Sequence, residues 1–257
     1  QFASALLLIG STLSGGLSVE LQPDAVSVPY IAITQRVLGE FGVDVRQTDP
    51  RRWEVAEGRY PGREFTVEGD HSSASYFLAA AATCGGRVRC DGLRSDSAQP
   101  DAELAAILDA GGCGVERGAD HLTVEGSGGV RAFDLDAGAF PDLVPTLAVL
   151  ALFADGPCRL RGIAHLRLKE SDRLAVLAEN LAALGACATA GESSLTVDAT
   201  DRRLTGAAVR THGDHRMAMA FALAGLRIPG VLIDDPACVA KSNPEFWDRF
   251  REFEGAG

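Results

Sequence analysis

The strongest constraint on this chain is that it repeats itself. One unit reads helix, strand, helix, hairpin. Residues 72–83 (SSASYFLAAAAT) have the composition of a small-residue helix, and 87–93 (RVRCDGL) read as a strand. Residues 101–110 place Leu104, Ile107 and Leu108 at helical spacing, Gly111-Gly112 stops that helix, and 115–125 read as a hairpin. The same order returns about 70 residues later. Residues 142–153 are an apolar helix and 158–163 a strand. An amphipathic helix over 172–184 follows, with Leu174, Leu177, Leu181 and Leu184 on one stripe, and then a hairpin over 186–197. A third copy opens at 214–226 (DHRMAMAFALAGL), continues through a strand at 230–233 and closes on a helix near 244–253. An earlier copy spans 1–13, 17–21, 29–41 and 43–55, and in its first helix Phe2, Ala5, Leu6 and Ile9 share a face.

Units of about 60–70 residues repeated in this way are poorly placed to hold separate cores, so they must pack helices inward and sheets outward, or stack as a solenoid. The units are longer than most solenoid repeats and carry charge at their helix starts, which favours an α+β fold. The segment 57–69, rich in Gly, Pro and charge, is the expected crossing between two domains, 1–68 and 69–257.

Composition narrows the function classes. The balance of 24 Lys+Arg against 35 Asp+Glu leaves a net charge of −11, unsuited to general nucleic-acid binding. No apolar run reaches the roughly 18 residues of a bilayer span, since Pro145 and Thr146 interrupt the longest. The six cysteines form no Cys-x-x-Cys pair and have no metal-ligand spacing to histidine, so neither metal nor cofactor is expected, and reduced thiols point to the cytosol. The chain begins at Gln1, without Met and inside a helical pattern, and reads as the C-terminal part of something longer.

Chemistry concentrates at the helix starts. Arg167-Leu168-Lys169-Glu170-Ser171-Asp172-Arg173 carries five charges in seven residues. Gly213-Asp214-His215-Arg216-Met217 opens an otherwise apolar helix, and Lys241 follows an apolar run. A cation at a helix N-terminus opposes the dipole, and a bound anion offsets that cost. Ordinary capping competes with this reading. Ser171 is a plausible N-cap with Asp172 in the first turn, while Asp214 and Asp142 can also serve as caps and His215 as a structural histidine. Basic clusters at matching places in separate repeats favour one convergent anion pocket of mutually repelling cations.

These motifs resemble those of the EPSP synthase (3-phosphoshikimate 1-carboxyvinyltransferase) family. The 167–173 run is similar to its C-terminal signature. Glu68-Gly69-Asp70-His71-Ser72-Ser73-Ala74-Ser75-Tyr76-Phe77 is similar to its crossing into a second domain, and Asp214-His215-Arg216-Met217-Ala218-Met219 to its late active-site helix. Pro141-Asp142, Ser27-Val28-Pro29-Tyr30 and Lys241 fall in order around them. The resemblance covers the whole chain and implies an enolpyruvyl transferase-like fold, an inside-out α/β barrel of repeated units. Its first domain would be incomplete, because the chain matches roughly the C-terminal three-fifths of such an enzyme. Serines and basic residues that grip substrate would then lie in a missing N-terminal segment, which becomes the chain's partner.

The implied reaction transfers the enolpyruvyl group of phosphoenolpyruvate to the 5-hydroxyl of shikimate 3-phosphate and releases phosphate. Asp142 would take the hydroxyl proton, Glu170 would handle protonation at the methylene carbon, and Lys169 and His215 would assist, His215 beside the leaving phosphate. Gln1, Arg173, Arg216 and Lys241 would hold phosphoenolpyruvate. Gln1, Ser27, Tyr30, Asp142, His165 and Lys169 would contact shikimate 3-phosphate, with His165 standing where many members have Asn. A monomer in a bacterial-type cytoplasm is expected, with no nucleic-acid or membrane partner; a plastid setting stays open. Two alternatives also stay open: a non-catalytic fragment that folds and binds anions, and the related transferase acting on UDP-N-acetylglucosamine, which lacks the Lys-Glu-Ser-Asp-Arg run.

Overall fold

The computed structural model describes residues 1–23 and 25–253. The chain divides into two compact units, Gln1–Glu68 with Ser97–Pro100, and Gly69–Asp96 with Asp101–Gly257.

In the first unit, helices α1 (Phe2–Gly10) and α2 (Ile31–Glu40) accompany strands β1 (Leu17–Glu20), β2 (Val45–Asp49) and β3 (Arg52–Val55). The strands form an antiparallel sheet of order β1-β3-β2. Along β3 the period-two pattern buries Trp53 and Val55 and exposes Arg52 and Glu54. These two join Leu7, Val19, Ile31, Leu38 and Val43 in a small core. The face shared by Phe2, Ala5, Leu6 and Ile9 is not the one that this unit buries. Leu7 and Gly10 are buried, whereas Phe2 is 90% exposed and Ile9 53%. The helix is apolar almost all round, so spacing alone does not choose its inner face. Gly10 does, because it brings the helix close to Val55 and Leu17.

The second unit contains α3 (His71–Cys84), β4 (Gly86–Asp91), α4 (Leu104–Ala110), β5 (Gly114–Arg117), β6 (His121–Gly126) and β7 (Asp134–Asp136). There follow α5 (Val144–Leu150), β8 (Cys158–Arg161), α6 (Arg173–Ala183), β9 (Cys187–Ala190) and β10 (Ser194–Asp198). The last elements are β11 (Ala208–Val209), α7 (His215–Gly225), β12 (Leu232–Ile233) and α8 (Phe246–Phe250). Helices α3, α5 and α7 pack against one another and are buried nearly all round. Alanines such as Ala79, Ala148 and Ala220 allow that close approach. Three sheets accompany these helices, β4-β6-β5, β7-β8-β10-β9 and β11-β12. The alternation in β8 and β10 turns Cys158, Leu160, Leu195 and Val197 into the core. Beyond the end of α7, the guanidinium of Arg227 donates to the carbonyls of Thr83, at 2.9 Å, and Gly128, supplying a partner to the open C-terminal end of α3.

Local geometry departs from the sequence reading in several places. The helix expected over 142–153 is three pieces: a 3-10 turn Pro141–Leu143, then α5, then a 3-10 turn Ala151–Phe153. Pro145 lacks an N–H and is tolerated only at the start of α5, so α-helix begins there and not at Asp142. Strands β7 and β11 are short parallel partners of β8 and β12, and so short a strand leaves almost no periodic signal. Each pair brackets a central helix, as a β-α-β crossover does. Lys241 closes the 3-10 segment Pro236–Lys241 and does not open a helix. No helix among the described residues is long and apolar enough to cross a membrane.

Helix α3 lies directly on β6 at Gly126, where a Cβ would sit 2.2 Å from the carbonyl oxygen of Ala81 and 2.6 Å from Ala82 Cα. Both are backbone atoms that cannot step aside. Gly126→Ala is expected to destabilise the second unit by ~1–3 kcal/mol in urea denaturation, the usual range for overpacking. Gly114→Ala in β5, where the new methyl meets only ordinary contacts from 3.6 Å, should cost clearly less.

Candidate active site

The site grows out of three helix-start segments in the second unit. At α6 the N-cap is Asp172, whose side chain accepts from Ala175 N at 3.0 Å. Ser171, the expected cap, instead donates to Asp214 Oδ2 at 3.1 Å. Arg167 is structural: it meets Asp172 at 3.0 Å and donates to Gly191 O at 2.7 Å, tying the helix start to the β9–β10 turn. At α7 the cap is Asp214, accepting from Arg216 N at 3.0 Å. Asp142 caps nothing. It sits inside its 3-10 turn, behind the N-cap Phe140, with both carboxylate oxygens given to arginines.

Arg173 is the hub. It is the first residue of α6 and only 1% exposed, so its charge must be answered by protein groups. Its Nε donates to Asp214 Oδ2 at 2.8 Å, and Nη2 reaches Oδ1 of the same carboxylate at 3.4 Å. Nη1 donates to Asp142 Oδ1 at 3.1 Å and Nη2 to Glu170 Oε2 at 2.7 Å. The chain of ion pairs extends at both ends. Asp142 Oδ2 accepts from Arg216 Nη2 at 2.9 Å, and Glu170 Oε1 accepts from Lys241 Nζ at 2.6 Å.

The expected pocket of bare, mutually repelling cations is therefore corrected. Arg173, Arg216 and Lys241 do converge, but Asp142, Glu170 and Asp214 alternate with them, so the cluster is three positive against three negative. Lys169 precedes Glu170 in the chain and makes no ion pair among the described residues, and its charge acts on His165.

Proton affinities follow from these contacts. Burial works against ionisation of Glu170, but the hydrogen bond from Lys241 and the charge of Arg173 outweigh it and hold its carboxyl at about 2. His215 is buried at the start of α7, with Nδ1 3.9 Å from Asp214 Oδ1 and no hydrogen bond. Burial, reinforced by neighbouring Arg216, pushes its pKa down and keeps the imidazole neutral. His165 is shifted the same way by burial and by Lys169, with Asp142 opposing.

Asp142, Glu170, Arg173, Arg216 and Lys241 are thus joined directly, His215 adjoins Asp214, and Lys169 and His165 are electrostatic neighbours in the approach to α6. Gln1, Ser27 and Tyr30 belong to the first unit. Gln1 is the exposed residue ahead of α1, and Ser27 and Tyr30 bracket the 3-10 turn Val28–Tyr30. Ser27 holds a left-handed conformation at φ 58°, a backbone region that non-glycine residues visit rarely. Sequence reasoning missed the electrostatic role of Asp214, which it read as a cap, and the contact of Tyr76 with Arg216. An acid inside the Gly-Asp-His-Arg run is the one signal that could have raised the first.

The sequence model of the EPSP synthase (3-phosphoshikimate 1-carboxyvinyltransferase) family matches residues 1–250. The chain belongs to this family. It is 44% identical over 248 residues to the 3-phosphoshikimate 1-carboxyvinyltransferase of Methanosphaerula palustris, covering 96% of this chain and 58% of that protein. The corresponding protein of Syntrophobacter fumaroxidans is 44% identical over 255 residues, covering 99% and 60%. Among solved structures, EPSP synthase from Acinetobacter baumannii superposes with a TM-score of 0.80 at 28% identity, over 97% of this chain and 59% of that one. The enolpyruvyl transferase NikO from Streptomyces tendae shares the fold, with a TM-score of 0.74 at 22% identity over 98% and 59%. The architecture is the α+β enolpyruvyl transferase fold, and the chain spans about three-fifths of the length of these relatives.

The lowered pKa of Glu170 fixes a sign. The folded value lies below the ordinary 4.5, so its ion pairs stabilise the fold fully above that value and are lost as pH falls towards about 2. Urea midpoints between pH 5.5 and 3 should fall more steeply for the parent than for Glu170→Gln. Parallel curves would show that Glu170 is not held ionised.

Proposed function

We propose that this chain carries the phosphoenolpyruvate-handling part of a 3-phosphoshikimate 1-carboxyvinyltransferase. The observation behind this reading is the ion-pair chain through Lys241, Glu170, Arg173, Asp142 and Arg216, drawn from segments far apart in sequence. Both substrates are phosphorylated and carboxylated, and guanidinium forks suit such groups. Arg173, Arg216 and Lys241, with Gln1, bind phosphoenolpyruvate, and His215, neutral, adjoins its phosphate. Lys169 and His165 contact shikimate 3-phosphate, as do Gln1, Ser27 and Tyr30 of the first unit, where the family motif is the support.

The chemistry follows from who holds which proton. Asp142 accepts the proton of the 5-hydroxyl as its oxygen attacks the central carbon of phosphoenolpyruvate, and Glu170 delivers a proton to the methylene carbon. Return of that proton to Glu170 with loss of phosphate leaves the enol ether. Glu170 is held ionised by Lys241 and Arg173. A substrate anion that takes over those donors raises the proton affinity of Glu170, so substrate itself converts it into an acid. The proposed setting is the cytoplasm, in keeping with six free cysteines, and the proposed state is a monomer.

The remaining two-fifths of the relatives' length is proposed to complete the shikimate 3-phosphate site. Phosphate release from the two substrates is expected only when the chain is refolded with a polypeptide supplying that part, and Asp142→Asn should abolish it. Arg216→Lys in the same preparation should weaken phosphoenolpyruvate binding by ~1–3 kcal/mol, the value of a charged hydrogen bond. Turnover with UDP-N-acetylglucosamine in place of shikimate 3-phosphate, or unaltered activity of Asp142→Asn, would overturn the assignment.

A further inference from the structure

Arg173 and Arg216 carry the same group in different company. Arg173 faces the carboxylates of Asp142, Glu170 and Asp214. Arg216 shares Asp142 through Nη2, while its Nη1 donates at 3.4 Å to the phenol oxygen of Tyr76. Tyr76 sits on α3, 0% exposed, with its ring edge-on to Phe246 at 5.9 Å and 83°. Its neighbour Ser75 is hydrogen-bonded at 3.0 Å to Thr146 of α5, which fixes where α3 stands against that helix. The hydroxyl is therefore held in place by the packing of the central helices.

Burial pushes the phenol's pKa up against the pull of Arg216, so the group is a neutral hydroxyl. A carboxylate in that place would orient the guanidinium and also cancel its charge. A neutral acceptor orients it and leaves the charge. Asp142 and buried Asp101 are the acids that act on Arg216, and Asp142 is already shared with Arg173. Arg173 is hydrogen-bonded to three carboxylates and Arg216 to one, and the side chain of Arg216 is partly open to solvent where that of Arg173 is sealed.

We propose that Tyr76 is a positioning residue whose buried hydroxyl sets the plane of the Arg216 guanidinium, so that Arg216 meets an incoming phosphate or carboxylate pre-oriented and with its charge available. This rests on the reading of Arg216 as an anion ligand given above.

The test is a double-mutant cycle on the 257-residue chain. Calorimetric titration with inorganic phosphate and with phosphoenolpyruvate would compare the parent, Tyr76→Phe, Arg216→Lys and the double variant, with a thermal melt of each. Tyr76→Phe is expected to weaken binding about threefold to tenfold, the scale of one hydrogen bond, and the double variant to bind no more weakly than Arg216→Lys alone. A role in packing only would lower the melting temperature and give losses that multiply. Unchanged affinity in Tyr76→Phe while Arg216→Lys binds weakly, or multiplicative losses, would overturn the role of Tyr76. No measurable binding by the parent, or none lost in Arg216→Lys, would remove the anion site and this proposal with it. Arg216 Nη resonances of the parent give a reading that needs no variant. Resolved, slowly exchanging signals are expected, and fully averaged ones would contradict a fixed guanidinium.

Discussion

A guanidinium at the first position of a helix, sealed from water, is held against two unfavourable terms. The helix dipole presents its positive end to it, and burial removes its hydration. Arg173 survives there because Asp214, equally buried, faces it from the start of another helix at 2.8 Å. That carboxylate accepts from Arg173, from Ser171 and from the backbone N–H of Arg216. It therefore caps α7 while neutralising the first residue of α6. The pair has one function before any catalytic one: it sets two helix starts in fixed relation, and the remaining polar groups of the site take their places from it.

The architecture explains how such a cluster can exist in a chain of net charge −11. Helices α3, α5 and α7 are so thoroughly buried that their bodies hold only uncharged side chains, and charge is confined to their ends. Mutual packing of the three then brings those ends together. Asp142 arrives on the turn before α5, Arg216 on the first turn of α7 and Tyr76 on the second turn of α3. Alternating sign gives each charge of the assembly a neighbour of opposite sign. Under the proposed function, a substrate that takes over the cations of a carboxylate raises its proton affinity, which would couple binding to acid–base readiness.

Repetition made the fold legible early. Alternating hairpins and apolar helices at regular spacing marked nearly every long element, including α3, α6 and α7, because burial on one stripe or on all sides leaves a periodic trace. What escaped was set by tertiary contact. The inner face of α1 follows from a glycine that tolerates close approach, and β7 and β11 are two or three residues long, defined by pairing with β8 and β12. In the site, Arg173 and Arg216 were visible as cations at helix starts, where positive charge is costly, whereas Asp142, Glu170 and Lys241 were assigned to it by the family resemblance. Asp214 looked like an ordinary cap because capping needs only a local hydrogen bond, while its pairing with Arg173 spans 41 residues. Tyr76 was hidden among apolar neighbours, where a phenol is indistinguishable from core.

The claim on which the account depends is that Arg173 and Asp214 are mutually obligatory. Asn caps helices as well as Asp does, so Asp214→Asn keeps the cap and removes only the charge. Urea denaturation of Asp214→Asn, Arg173→Met and the double variant measures their coupling directly. Each single change should cost ~3–5 kcal/mol, the scale of breaking a buried pair, because Asp214 loses its guanidinium or Arg173 keeps only the partly exposed Asp142 and Glu170, and the double variant should recover a large share of the combined loss. Single losses below about 1 kcal/mol, the level of a surface pair, or strictly additive ones, would contradict the account.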